Sequence, residues 1–190
     1  MSLRRLLKQL NCGDDELAEV AAKALPEFGD YALAALRDLC ASEKVDSRWW
    51  ATRVLGEFPG PEATDLLVKL LKDEDAEVCA VAILSLGQRD DPAAVNPLAA
   101  ILMESDGYLA RHAADALARL GDPASPALVD ALIADDPGVR ANAARALARF
   151  SDGAAVPALA KALEDQSAVV AHWAAVALER RGVGMLFFEP

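Results

Sequence analysis

Three tryptophans, two histidines and a scatter of arginines are the side chains of this 190-residue chain whose types suit recognition. Tryptophan brings a large flat apolar face with a single N–H, and arginine a rigid fork of donors. Both are over-represented where one protein grips another. Trp49 and Trp50 stand side by side in "DSRWWATRVLGEF", residues 46–58. Adjacent helical residues point about 100° apart, so the two rings cannot easily share one narrow buried seam. The signatures of catalysis are missing. No Gly-rich phosphate loop, GxSxG turn, paired His-Glu element or clustered Cys/His occurs, so the sequence assigns no catalytic residue, no metal ligand and no cofactor. The chemistry on offer is binding.

The elements that carry these side chains repeat. "SRWWATRVLGEF", "VCAVAILSLGQR", "LARHAADALARL", "VRANAARALARF" and "VAHWAAVALERR" stack on one another, with anchors Leu55, Leu86, Leu117, Leu147 and Leu178 spaced by 31, 31, 30 and 31 residues. An alanine precedes each anchor by four: Ala51, Ala82, Ala113, Ala143 and Ala174. A second register, Leu67, Leu98, Leu128 and Leu159, runs between them. Each period therefore holds two helices, separated by turns such as "DEDAE", "RDDPA", "GDPAS" and "DDPG". Pro92, Pro123 and Pro137 fall near helix starts, where a missing N–H costs little. Cys40 is in register with Leu71, Leu102, Leu132 and Leu163, the place of a small core residue.

Composition supports an all-α chain. Hydrophobic residues make up 54% and aromatics only 5%, so the core must be built from Ala, Leu and Val, good material for helices. Net charge is −11, which argues against nucleic acid and anionic lipid as partners. Cys12, Cys40 and Cys79 are odd in number and lack CxxC spacing, as expected of a reducing, cytoplasmic setting. No apolar run reaches the roughly 18 residues of a membrane span.

The unit V-R-x-x-A-A-x-A-L-G, an acidic or glycine turn, and a second helix ending L-x-x-A-L resembles the HEAT-like repeats first associated with phycobilin lyases. The resemblance covers residues 46–182, with a diverged pair upstream in "LAEVAAKALPEF" and "YALAALRDLC". It implies an α-solenoid of five to six two-helix repeats in a right-handed superhelical stack, with the V-R-x-x-A-A helices on the concave side. We expect one domain over 1–190. It comprises a capping helix at 1–13, a diverged repeat at 14–45, repeats at 46–74, 75–105, 106–136 and 137–166, and an incomplete repeat with an apolar tail at 167–190. The Arg after the opening Val survives only at Arg48 and Arg140 and becomes Cys79, Ala110 and Ala171 elsewhere, which puts polar ties between repeats in question. The Gly after the anchor survives at Gly56 and Gly87.

On a helical wheel the positions opposite the seam collect the candidate site. They give Trp49, Trp50 and Arg53 on the first stacked helix, and Arg111, His112, Asp115 and Arg119 on the third, with Tyr108 just before them. Asn142, Arg145 and Arg149 follow on the fourth, and His172, Trp173 and Arg180 on the fifth. Six of the twenty slots on the five helices are arginine and two are acidic, in a chain of 30 acids and 19 bases. The expectation is a trough roughly 40 Å long, lined by Trp and Arg, holding a protein or peptide segment that is acidic with apolar anchors.

Plainer roles compete for the same residues. Trp50 and Trp173 could simply cover a neighbouring repeat. Arg119, Arg149 and Arg180 could complement helix-end carbonyls. Asp115 stands one turn from both Arg111 and Arg119, the spacing of an ordinary i,i+4 pair. His112 and His172 lie two repeats apart, too far to share a metal. The HEAT hydroxylases that modify deoxyhypusine use His-Glu pairs, which this chain lacks. HEAT-like alkylpurine DNA glycosylases use Trp, Asp and Arg on a concave face, so DNA binding is one alternative, and a bilin-lyase subunit is another. Met185, Leu186, Phe187 and Phe188 form an apolar tail that either folds over the last repeat or contacts a partner or second copy. At the other end Leu3, Leu6, Leu7 and Leu10 have the spacing of an amphipathic helix.

Overall fold

The computed structural model describes residues 2–104, 107–150 and 153–183, so the tail at Met185, Leu186, Phe187 and Phe188 lies outside the described residues. The helices fall into two compact units, 1–89 and 90–190. The first contains α1 (Leu3–Leu10), α2 (Asp15–Ala24), a 3-10 turn (Leu25–Phe28), α3 (Asp30–Cys40), α4 (Val45–Leu55), α5 (Pro61–Leu70) and α6 (Ala76–Leu86). Within it α1 packs on α2, α3 on α4 and α5 on α6, while α2, α4 and α6 lie side by side in one layer. The second contains α7 (Val95–Glu104), α8 (Gly107–Leu120), α9 (Ser125–Ala131), α10 (Pro137–Leu147), α11 (Val156–Ala162) and α12 (Ala168–Arg180), with a 3-10 turn before each of α7, α9 and α11. Here α7 pairs with α8, α9 with α10 and α11 with α12, and α8, α10 and α12 are the adjacent layer. No strand occurs among the described residues. Nor is any described helix long and apolar enough to cross a membrane.

The repeat positions are the core. Leu55, Leu86, Leu117 and Leu147, their alanines Ala51, Ala82, Ala113, Ala143 and Ala174, and the second register Leu67, Leu98, Leu128 and Leu159 are wholly buried, and Leu178 almost so. An alanine one turn before each leucine lets neighbouring helices of the layer approach closely while the leucine fills the space between layers. Gly56 serves the same closeness. A Cβ there would stand 2.9 Å from Ser85 Oγ on α6, nearer than real side chains come. The acidic turns do the capping: Asp14, Asp75 and Asp136 accept from the first amides of α2, α6 and α10.

Two arginines rivet successive repeats. Arg48 donates from Nε and Nη2 to the two oxygens of Asp73 at 2.8 Å each, and from Nη1 to Ser42 O at 3.0 Å. It thereby joins the turn before its own helix to the turn before α6. Arg140 repeats the arrangement on Asp165, at 2.8 and 3.0 Å, and on Ala134 O and Asp135 O, at 2.8 Å each. The ties questioned by the sequence are therefore present wherever the Arg survives. At Cys79, in the Arg register, the thiol donates to Asp73 O at 3.1 Å, the carbonyl equivalent to Ser42 O one repeat on. A small weak donor holds the same turn there without the carboxylate pair.

These pairings set an acid dependence. Burial pushes the Asp73 carboxyl up, but Arg48's hydrogen bonds, the Asp75 amide and Arg48's charge outweigh it and leave Asp73 below the usual range. The hydrogen bond from Arg140 and the Ser167 amide lower Asp165. A carboxyl whose folded pKa lies below its unfolded value of about 3.9 contributes stability that is complete above that pH and lost as pH falls through the folded value. Urea midpoints should therefore fall more steeply below about pH 4 for the wild type than for an Asp73→Asn/Asp165→Asn variant. The variant starts lower at pH 7 and the two curves converge in acid.

The cysteines differ in access. Cys12 is exposed, Cys40 half-buried and Cys79 buried. Burial, then the charge of Asp73, pushes the Cys40 thiol up to about 12, and the same two causes raise Cys79.

Candidate functional site

In the first unit Trp49 and Trp50 occupy the second turn of α4. Both are half-buried, and their rings meet edge to face, centroids 4.9 Å apart and planes at 81°. A cavity of about 770 Å³ opens beside them. Arg53, one turn on, is held by Glu57 at 3.0 Å and lies 3.8 Å from Glu19 of α2, so its charge is offset within the fold.

In the second unit the candidates form three small assemblies. Tyr108, 47% exposed, meets His112 edge to face at 4.7 Å on α8. On α12, exposed His172 lies against half-buried Trp173 at 5.4 Å. Between these helices, Asp115 Oδ1 accepts from Arg145 Nη1 at 2.8 Å and lies 3.9 Å from Arg149 Nη1. That corrects the i,i+4 expectation for Asp115: its ion-pair partners belong to α10 and the turn that follows it, not to its own helix. The reason is geometric. Asp115 faces the neighbouring helix of the layer, and Arg145, one repeat further on, reaches across to it. Arg145 Nη2 is buried and finds no acceptor among the described residues. Asn142 is half-buried, while Arg111 and Arg119 are exposed.

Arg180 does complement a helix end, though not that of its own helix. Its Nη1 donates at 3.1 Å to Ala148 O, at the close of α10. The next residue, Arg181, reaches Leu147 O at 2.9 Å. Arg89 plays the corresponding part in the first unit, donating to the carbonyls of Leu55, Phe58 and Gly60 and to Thr64 Oγ1. Arg89 and Arg181 are not among the candidates that the slots opposite the seam offer. The signal was present in their common offset of three residues past the anchors Leu86 and Leu178. Also missed were the carboxylates around the tryptophan cavity, Asp15, Asp46, Asp75 and Glu77. Each lies in or just before the first turn of a helix, where an acid reads as a cap. Among the described residues no group of three or more His, Cys, Asp or Glu is gathered in a way that could hold a metal ion.

Helix pairs repeated along the chain, buried Leu and Ala at constant spacing, and arginines tying turn to turn define an all-α repeat protein of the HEAT and armadillo class. The sequence matches the family described as HEAT repeats over residues 3–79, 33–118, 64–137 and 96–179. The chain belongs to the HEAT repeat family. Among solved structures it is similar to the Escherichia coli protein YibA, with 20% identity, TM-score 0.64, 98% of this chain and 73% of that one covered. The complex of CpcE and CpcF of phycocyanin lyase from Nostoc sp. PCC7120 matches with 22% identity and TM-score 0.53, over 96% of this chain and 77% of that one. A designed armadillo repeat protein in complex with the peptide (KR)4 matches with 20% identity and TM-score 0.54, over 95% and 100%. At these identities the likeness concerns the fold. No curated protein matches the sequence.

Proposed function

We propose that this chain is a non-enzymatic scaffold that binds a protein segment, acidic with apolar anchors, on the α8–α10–α12 layer of its second unit. The observation that carries the reading is the sharing of one carboxylate, Asp115, between Arg145 and Arg149. Of the eleven candidate positions in this unit five are arginine and only Asp115 is acidic, so positive charge remains after internal pairing. The exposed Tyr108 of α8 and the Trp173–His172 pair of α12 supply apolar faces on the same layer of helices. Arginine and large aromatics contribute disproportionately to binding, because they bury area and fix hydrogen-bond geometry. Arg145 Nη2, a donor without an acceptor among the described residues, is a further reason for an incoming carboxylate to be favoured after a small side-chain shift.

The test is an array of acidic peptides bearing two apolar residues, followed by fluorescence anisotropy on the best binder. Reversing one charge with Arg149→Glu should weaken it by about tenfold, and binding should fall as salt rises. Trp173→Ala should weaken it comparably. If no acidic peptide saturates, or if Arg149→Glu binds as well as the wild type, this surface is not the binding site.

A further inference from the structure

The cavity beside Trp49 and Trp50 is opposite in character to the surface just described. We propose that it is a second binding site, one that takes a basic segment of another protein and seats an Arg or Lys side chain against the two indoles. Its volume, about 770 Å³, is in the range of clefts that hold a drug-sized ligand and is far larger than a single ion needs. Trp49 and Trp50 line it with planes at 81°, giving two adjoining aromatic walls. Such walls attract a cation through the negative faces of the rings.

Charge selects the occupant. Asp15 at the start of α2, Asp46 at the start of α4, and Asp75 and Glu77 at the start of α6 all line the cavity, and among the described residues Lys44 is the one cation lining it. The formal sum is −3. Three helix N-termini oppose it, each equivalent to roughly +0.5, for a total of about +1.5. The carboxylates therefore win, although Asp75 spends Oδ1 on the amides of Glu77 and Val78 at 3.0 and 3.2 Å. An anionic segment is repelled, and a purely apolar one would strip water from carboxylates without replacing it. A guanidinium satisfies both features at once, stacking its plane on a ring while its fork meets a carboxylate. This site shares no residue with the second-unit surface, and either can exist without the other.

The test uses the full chain and a capped octapeptide of alternating Arg and Ser, followed by tryptophan fluorescence and calorimetry at low salt. A saturable response is expected. The octapeptide with Glu in place of Arg should give none, and a capped single arginine should bind at least about tenfold more weakly than the Arg octapeptide, because one residue fills little of the space. Asp46→Asn/Glu77→Gln should weaken the Arg octapeptide by about tenfold or more while lowering Tm only slightly, through the loss of two first-turn acids, and Trp49→Leu/Trp50→Leu should abolish binding. Trp173→Phe should leave affinity unchanged. Absence of saturable binding by the Arg octapeptide overturns the proposal. So do equal affinity in the Asp46→Asn/Glu77→Gln variant, preference for the Glu peptide, and a capped arginine as tight as the octapeptide. Because the carboxylate variant retains both indoles, its affinity decides the matter even if the double tryptophan variant fails to fold.

Discussion

Arg48→Ala should lose about 3–5 kcal/mol of stability, the range for breaking one partner of a buried ion pair. Both side chains of the Arg48–Asp73 pair are 7% exposed, so removal of the guanidinium strands a carboxylate that water barely reaches. Ser42 O loses its donor in the same step. Arg48→Lys should recover less than half of the deficit, since an ammonium cannot meet both oxygens of Asp73 and a backbone carbonyl in one plane. Arg140→Ala should cost less, because its pair with Asp165 is more open, at 17% and 12% exposed. Urea unfolding of the three variants beside wild type checks the order. Equal midpoints for Arg48→Ala and wild type would mean that the pair contributes nothing net.

Arg89→Ala should be nearly as damaging, at about 2–4 kcal/mol, from several charge-assisted hydrogen bonds lost together. Arg89 lies just after α6 and reaches back to the carbonyls of Leu55, Phe58 and Gly60, which close α4 and open α5. Helix ends leave such carbonyls without intrahelical donors, so this guanidinium substitutes for a missing turn of helix. Hydrogen exchange should locate the effect: protection should drop first in residues 55–64 and only later in the body of α4. Uniform loss across the unit would indicate general destabilisation and not a failed cap.

The helix pairs could be read from the sequence because one physical constraint dominates them. Ala four residues before Leu, every 30 or 31 residues, leaves few alternatives to stacked helices, and those positions are the buried ones. The site was less legible. Asp115 has two arginines one turn away in sequence, yet its partners come from the next repeat; wheel geometry gives direction within a helix but not the reach of long side chains between helices. For Arg180 the sequence leaves both a groove role and a helix-end role open, and its guanidinium donates to Ala148 O at the end of α10. Around Trp49 and Trp50 the charges in the slots opposite the seam are Arg53 and Glu57, whereas the carboxylates of the cavity come from helix starts that lie outside those slots. Asp46 and Glu77 stand nine residues before the anchors Leu55 and Leu86, at about 180° on the wheel, one turn before the first of the slots, while Asp15 and Asp75 belong to the start of α2 and the cap of α6.

The thiols carry a practical consequence. Cys40 and Cys79, protonated at neutral pH and screened by packing, are chemically quiet, since the thiolate is the form that attacks an electrophile. Cys12 is exposed and lies on the rim of the tryptophan cavity. A maleimide dye should therefore attach there alone under native conditions, giving one adduct by intact mass, and Cys12→Ser should give none. The unmutated protein comes with its own reporter handle, placed where an arriving ligand would disturb it.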